Sequence, residues 1–147
     1  MKVKAYLSHT IRGAKSIEAT HEDMRQNCDK AIKIAEGIRE RLCSIIDMYV
    51  PAENETFVQI AFDAGILTED QILDVDCRII DQKDMVIVLV ENGWIGGGID
   101  VEVKHANDNH IPVFFVELSD AMDLVWRNLT TMVHMLLDKK VETKLKS

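Results

Sequence analysis

Two kinds of hydrophobic spacing alternate along the chain and predict alternating strands and helices. Short apolar runs occur at Lys2–Ser8, Met85–Val90 and Ile111–Glu117. The run at Met85–Val90 has no polar position, which is typical of a central parallel strand that is covered on both faces. Between these runs apolar residues recur at spacings of three and four, as in helices with one buried face. The order predicts an α/β protein with three layers, built on a doubly wound, mostly parallel sheet of four or five strands.

The helical spacing also sets the expected boundaries of the elements. A short strand at Met48–Val50 is expected to stop at Pro51. We expect one domain over residues 1–147, with a frayed tail at 138–147. The predicted helices are Met24 to about Ile46, Phe57–Ala64, Thr68 to about Gln82, Ile99–Asn107, and one from Met122 through Leu136.

Composition excludes several classes of partner. The net charge of -8 opposes binding along a nucleic acid backbone. No apolar run approaches the roughly 18 residues of a transmembrane helix, and the N-terminus has no signal-peptide core. The three cysteines show no metal or redox spacing and are better interpreted as buried thiols of a reducing compartment. We therefore predict a cytoplasmic protein that binds neither nucleic acid nor membrane.

The segment from Asp76 to Ala106 contains the strongest candidate for a site. It runs from a helix end through the apolar strand into the glycine-rich loop Gly93–Gly98, and then into a helix whose first turn carries Glu102. Ligands of open α/β sheets bind beyond the carboxyl ends of the strands, so this loop is expected to line a crevice. Three consecutive glycines allow a ligand to approach the backbone closely. A flexible turn without a ligand is an equally good interpretation.

Two carboxylates in this segment suggest chemistry. Asp76 shares a helix face with Ile72 and Ile79, and a charge in an apolar stripe must be paired, protonated or at the edge of a cavity. Structural alternatives exist, since Asp76 can pair with Arg78 or a lysine and Glu102 can be a first-turn acid favoured by the helix dipole. If both acids face one crevice, they suit glycosyl chemistry, in which one attacks or stabilises an oxocarbenium-like centre while the other handles the leaving-group proton.

Polar side chains also follow the first predicted strand. Tyr6, Ser8, His9, Thr10 and Arg12 place hydroxyls, an imidazole and a guanidinium at its carboxyl end. The guanidinium is suited to a phosphate or carboxylate, although an ordinary surface arginine is equally plausible. The dinucleotide, P-loop and HExxH spacings are missing, so we predict no cofactor and no metal.

Taken together, these pieces resemble the nucleoside 2-deoxyribosyltransferase superfamily, which includes the 2'-deoxynucleoside 5'-phosphate N-hydrolases. The stretch AYLSHTIRGA, residues 5–14, resembles the family's first strand and substrate loop. Asp76 and Asp84 match a helix acid and a second aspartate before the next strand. The stretch GGGIDVEVKHA places the family's glutamate on Glu102. The resemblance covers the first 14 residues and about 76–118.

The chain departs from the family pattern at three places. His9 and Thr10 stand where the family has glycine and serine, and Lys104 stands where a glycine usually follows the glutamate. The transferase's extra loop aspartate falls near Gly96 or is displaced to Asp100. These departures bear on the identity of the substrate.

The resemblance implies a flavodoxin-like fold and an N-glycosidic reaction on a small nucleoside or nucleotide, in a homodimer or a higher homo-oligomer. It implies that Glu102 is the nucleophile, that Asp76 assists the leaving base and that Tyr6 orients Glu102 by a hydrogen bond. It implies a binding set for the substrate made of Ser8, His9, Thr10, Ile11, Arg12, Gly13, Gly96, Gly97, Gly98 and Asp100.

Two other functions compete with this one. A non-catalytic nucleotide-sensing module on the same fold is the main alternative. A phosphoacceptor receiver domain is disfavoured, because receivers need an acid pair after the first strand, where this chain has Ser8, His9 and Thr10. Within the glycosidic hypothesis, Arg12 favours a nucleotide hydrolase over a transferase.

Overall fold

A computed structural model describes residues 1–147 and shows a four-stranded parallel sheet between helices. The strand order is β2-β1-β3-β4, and every neighbouring pair is parallel. The predicted α/β class is confirmed, with four strands in a flavodoxin-like arrangement. The elements are β1 (Val3–Ser8), α1 (His21–Leu42), β2 (Ile46–Tyr49), α2 (Glu55–Asp63), α3 (Glu69–Ile80), β3 (Met85–Val90), α4 (Gly97–Asp108), β4 (Val113–Glu117) and α5 (Met122–Lys146).

The side chains of β1 divide the core into two layers. Val3, Ala5 and Leu7 pack with α1 and α5 in the larger buried cluster. Tyr6 belongs to the smaller cluster on the other side of the sheet, with α3 and α4. Alternate residues of a strand point to opposite faces, so Ser8 lies on the Tyr6 side. This alternation directs two polar side chains of β1 toward α4.

Two helices begin with the same local signal. Thr20 before α1 and Thr68 before α3 each accept a hydrogen bond from the backbone N–H three residues later, and the side chain of that later residue accepts one in return. Such a capping box satisfies amide groups that lack a partner inside the helix. It therefore fixes where α3, the helix that carries Asp76, starts.

The first helix ends earlier than its spacing predicted. We expected it to reach about Ile46, but α1 ends at Leu42 and Ile46 begins β2. The Val3 N–H donates to the Ile45 carbonyl at 2.8 Å, and Val3 pairs with Ile46 across the sheet. An apolar residue at this position fits a helical stripe and a buried strand equally well, so the pattern could not separate the two.

The later elements differ from the prediction mainly at their ends. The glycines of the loop enter α4, which starts at Gly97 instead of Ile99. The last strand starts at Val113 instead of Ile111 and lies at the edge of the sheet, where Phe115 is 53% exposed. No helix combines the length and the apolar composition that crossing a membrane requires.

The expected frayed tail at 138–147 is instead helical as far as Lys146. Lys140 ties the first part of this tail to the sheet, because its ammonium group donates to Asp84 at 2.7 Å and to the Lys2 carbonyl at 3.1 Å. Asp84 also accepts the Lys4 N–H at 2.7 Å. These contacts anchor the end of α5 to the start of β1, which a local pattern of charges does not reveal.

Candidate functional site

A cavity of about 500 Å³ lies at the carboxyl ends of β1, β2 and β3. Tyr6 of β1, Tyr49 of β2, Asp76 of α3 and Glu102 of α4 all contribute to its wall. This is the edge of a parallel sheet at which ligands of α/β proteins are expected. The structure therefore brings the three residues assigned to catalysis, Tyr6, Asp76 and Glu102, to one cavity.

Glu102 lies at the back of the cavity and is only 5% exposed. The Ser8 hydroxyl donates to its Oε1 atom at 3.2 Å, while its Oε2 atom has no hydrogen-bond partner. A buried carboxylate oxygen without a partner is costly, so such an atom in a cavity wall indicates a place for a ligand. Ser8 is completely buried and does not line the cavity, so it holds Glu102 from behind instead of contacting a substrate.

The expected hydrogen bond from Tyr6 to Glu102 has no well-aligned counterpart in the structure. The Tyr6 hydroxyl is buried beside Glu102 and Asp76 and lowers the pKa of both carboxyls, but it makes no hydrogen bond of good geometry to either, whereas Ser8 donates to Glu102 at 3.2 Å. The Tyr6 ring stacks on the Tyr49 ring with centroids 5.7 Å apart and planes 22° apart. This packing holds the Tyr6 hydroxyl in the cavity wall, where it is free to donate to a ligand.

Glu102 and Asp76 differ in their affinity for a proton. Burial raises the pKa of Glu102 from 4.5 to about 8, the charge of Asp76 adds to the rise, and the hydroxyls of Tyr6 and Ser8 oppose it. Burial raises the pKa of Asp76 from 3.8 to about 6, against the effect of the Tyr6 hydroxyl. Burial and the two carboxylates raise the pKa of Tyr6 far above its ordinary value, so its hydroxyl remains a donor.

The loop after β1 is shaped by its own hydrogen bonds. The His9 Nε2 atom accepts the Ala52 N–H at 3.1 Å, and its Nδ1 atom lies 3.3 Å from the Thr10 carbonyl, to which it donates as the neutral tautomer. Burial lowers the pKa of His9 to about 4, which keeps the ring neutral. The Thr10 hydroxyl accepts the Gly13 N–H at 2.9 Å. His9 and Thr10 line the cavity, but these contacts occupy both His9 nitrogens, so His9 supports the loop.

Close packing explains the glycine of this loop. Gly13 has a φ of +68°, a value that favours glycine, and a Cβ atom there would lie 2.8 Å from the Asn27 side chain. Asn27 in turn donates to the Ile11 carbonyl at 2.9 Å. Gly13 and Ile11 thus shape the cavity wall through their backbones.

Of the remaining predicted binding residues, Arg12 and three glycines line the cavity, whereas Asp100 does not. Arg12 lines the mouth, where its guanidinium lies 3.9 Å from Glu69 in a partly exposed pair. The glycines 96, 97 and 98 line the cavity where α4 begins, and a Cβ atom on Gly96 would lie 3.3 Å from the Thr10 hydroxyl. Asp100 is exposed and lies outside the cavity wall, so the structure does not place it at the site.

Several cavity residues were missed by the sequence analysis. Tyr49 and Glu55 lie where the chain leaves β2, and Phe62 follows on α2. The rule that ligands sit beyond the carboxyl ends of strands could have indicated Tyr49 and Glu55, once β2 was placed correctly. Trp94 belongs to the glycine-rich segment and also lines the cavity, 39% exposed. Phe62 gave no signal, because an apolar residue on a short helix predicts core packing.

A comparison with protein-family models finds no match, and comparisons with curated proteins and with solved structures find none either. The fold and the cavity together define a flavodoxin-like α/β protein with an acid-lined cavity at the carboxyl edge of its sheet. No group of three or more His, Cys, Asp or Glu side chains is arranged to hold a metal ion. Function must therefore be argued from the chemistry of this site.

The buried carboxyl of Glu102 leads to a prediction about stability. Its pKa is raised from 4.5 to about 8, so across this range the folded protein holds a proton that the unfolded chain has lost. The free energy of unfolding must then fall as the pH rises through this window. We expect Glu102→Gln, which keeps the shape without the charge, to be more stable than the wild type by about 1 to 3 kcal/mol at about pH 8, and by less at about pH 5.

Urea denaturation of both proteins across this pH range measures the difference. Glu40→Gln is the control, since Glu40 is an exposed glutamate of α1 outside the cavity. If the wild type and Glu102→Gln lose stability in parallel as the pH rises, Glu102 is not the buried acid described above.

Proposed function

We propose that this protein cleaves or transfers the N-glycosidic bond of a small nucleoside or nucleotide, with Glu102 as the nucleophile. The observation that supports this most directly is the state of Glu102. One oxygen of its buried carboxyl is held by Ser8, and the other has no partner in a cavity that also contains Asp76 and Tyr6. An attacking oxygen needs this combination of fixed orientation and a free lone pair.

The two acids divide the reaction as a retaining glycosidase does. The Glu102 carboxylate attacks the anomeric carbon, the bond from that carbon to the base nitrogen breaks, and Asp76 donates its proton to the leaving base. Asp76 then accepts a proton from water, which displaces the sugar from Glu102 and completes hydrolysis. If a second base attacks in place of water, the outcome is transfer. The Tyr6 hydroxyl is free to donate to a sugar oxygen or to the developing charge.

The reactive state needs an ionised Glu102 and a protonated Asp76. With pKa values of about 8 and about 6, this is a minority state of the empty site at neutral pH. A positively charged, oxocarbenium-like sugar favours ionisation of Glu102, so Glu102 becomes negatively charged as the transition state forms. The same electrostatics keep Glu102 uncharged in the empty cavity at neutral pH.

The first prediction of this proposal is a covalent intermediate. Wild-type protein incubated with a nucleoside and quenched in acid should yield a peptide containing Glu102 whose mass is increased by that of the bound sugar. Glu102→Gln should form no adduct and should lose at least about 10³-fold in rate, because an amide is a poor nucleophile. Glu40→Gln is the matched control and should retain full activity. Tight nucleoside binding with no adduct and no release of base would instead favour a non-catalytic sensing module.

The second prediction concerns pH. For the wild type, kcat/KM plotted against pH should be bell-shaped. Its maximum should lie between the pKa of Asp76, about 6, and the pKa of Glu102, about 8. This profile alone does not identify which acid attacks. In Asp76→Asn the profile should keep only a limb that rises with pH, with a midpoint below about 8, because the Asp76 charge no longer adds to the effect of burial on the pKa of Glu102. Activity that falls with rising pH in this variant would make Glu102 the proton donor.

We also propose that the protein is a cytoplasmic homodimer. The cytoplasmic location is supported by three unpaired cysteines in a chain without disulfides.

Dimerisation is implied by the family resemblance and supported by α2, whose outward face exposes Phe57 by 75% and Ile60 by 65%. The opposite side of α2 lines the cavity through Val58 and Phe62. A helix that is apolar on both sides requires cover on both sides.

The dimer is tested by sedimentation equilibrium. We expect a dimer for the wild type and a monomer for the double variant Phe57→Ser, Ile60→Ser, because two polar side chains at the centre of an apolar contact remove its driving force. The control is Val141→Ser, which changes an exposed apolar residue of α5. A monomeric wild type at all accessible concentrations would contradict the proposal.

A further inference from the structure

Glu55 is a cavity carboxylate for which the proposed reaction has no use. It is the first residue of α2, and it lines the cavity together with Val58 and Phe62, one and two turns further along the helix. Its side chain is half-buried and makes no hydrogen bond or ion pair with the protein. Burial raises the pKa of Glu55 to about 7, the charge of Asp76 adds to the rise, and Arg12 opposes it. Glu55 therefore faces the same space as Asp76, the proposed proton donor to the leaving base.

The Glu55 carboxylate accepts no hydrogen bond from the polar side chains nearest to it in the chain. The Gln59 amide group donates to Asp63 at 2.8 Å, and the Asn54 amide group donates to the Tyr49 hydroxyl at 3.3 Å. Arg12, the one cation of the cavity wall, lies close to Glu69. A ligand bound here must supply hydrogen-bond donors, because an unpaired carboxylate loses solvation when a ligand covers it.

The cavity carries a second, independent indication that it binds a ligand. The hydroxyl of Tyr6 and the Oε2 atom of Glu102 belong to residues of the same wall, are buried and lack a well-aligned hydrogen-bond partner. In the proposed reaction these two groups face the sugar, and Asp76 faces the bond to the base. The base then extends past Asp76 toward α2, where Glu55 lies.

We propose that Glu55 is a specificity-determining residue that accepts a hydrogen bond from an exocyclic amino group of the leaving base. The inference rests on the proposed function, because it takes the orientation of the sugar from Glu102. It makes the preferred substrates nucleosides of amino-bearing bases, such as adenine or cytosine. Their oxo counterparts, hypoxanthine and uracil, present a carbonyl oxygen at the same position, and this oxygen is repelled by a carboxylate.

Unphosphorylated nucleosides are the appropriate probes. Five carboxylates line the cavity, at Glu55, Glu69, Asp70, Asp76 and Glu102. Arg12 is the one lining residue with a permanent positive charge, and it is already close to Glu69. An added phosphate would meet a strongly negative site and would obscure the effect of the base.

The experiment compares two matched pairs of substrates, deoxyadenosine with deoxyinosine and deoxycytidine with deoxyuridine. At about pH 8, where Glu55 is ionised, the wild type should favour the amino-bearing member of each pair by about tenfold or more in kcat/KM. Glu55→Gln should reduce this ratio to near one, since its amide serves an amino group and a carbonyl alike. Glu55→Asp keeps the charge on a shorter side chain and should retain part of the preference. Glu40→Gln should match the wild type.

Binding of the free bases to the same proteins, measured by calorimetry, separates this inference from the proposed function. If nucleosides are cleaved without an amino preference, or with one that Glu55→Gln leaves intact, the role of Glu55 is overturned and the glycosidic function stands. If nothing is cleaved but adenine binds more tightly than hypoxanthine only when Glu55 is present, the role of Glu55 stands and the reaction does not. If there is neither cleavage nor selective binding, both are overturned. Circular dichroism confirms that each variant is folded.

Discussion

The alternation of side chains along β1 is the constraint on which the site depends. Residues two apart on a strand share a face, so Tyr6 and Ser8 both point toward α4, while Leu7 between them enters the opposite layer of the core. Ser8 then reaches Glu102 from behind the cavity, and Tyr6 stands beside it with its hydroxyl free. A shift of one residue in the pairing of β1 would exchange the two sets and bury Glu102 against apolar side chains.

The carboxyl groups of the cavity have opposite effects on the stability of the folded protein and on catalysis. Glu102 and Asp76 are held in a cavity whose low polarity disfavours their charges, and Glu55 adds a third carboxyl with a raised pKa. These groups weaken the folded state as they ionise, yet a displaced proton equilibrium is what acid and base catalysis at neutral pH requires. The two contacts of Lys140 that dock the end of α5 lie at the other end of the sheet, where they hold the fold together without entering the site.

Much of the fold was accessible from the chain itself. The apolar run of β3 and the threonine caps of α1 and α3 are local signals, and local signals determine local structure. Asp76 was identified because an acid in an apolar stripe needs a physical reason, and the role of Glu102 was implied by the family resemblance. The family resemblance implied a substrate contact for Ser8, whereas the structure directs its hydroxyl to Glu102, because neighbouring hydroxyls on one strand look alike until a third element packs against them. Glu55 carried only the signal of its position after β2, since an acid in the first turn of a helix is ordinary.

The sequence by itself determined which segments form strands and helices, in what order they are wound, and which acids sit where a charge is unfavourable. These properties follow from spacing, and spacing is contained in one short stretch of chain. Only the tertiary structure decided that α5 continues to Lys146, that Ser8 holds Glu102, and that α2 brings Glu55 to the cavity. Each of these depends on residues distant in the chain, because burial, and with it the pKa of a carboxyl, arises only when several elements close around one point.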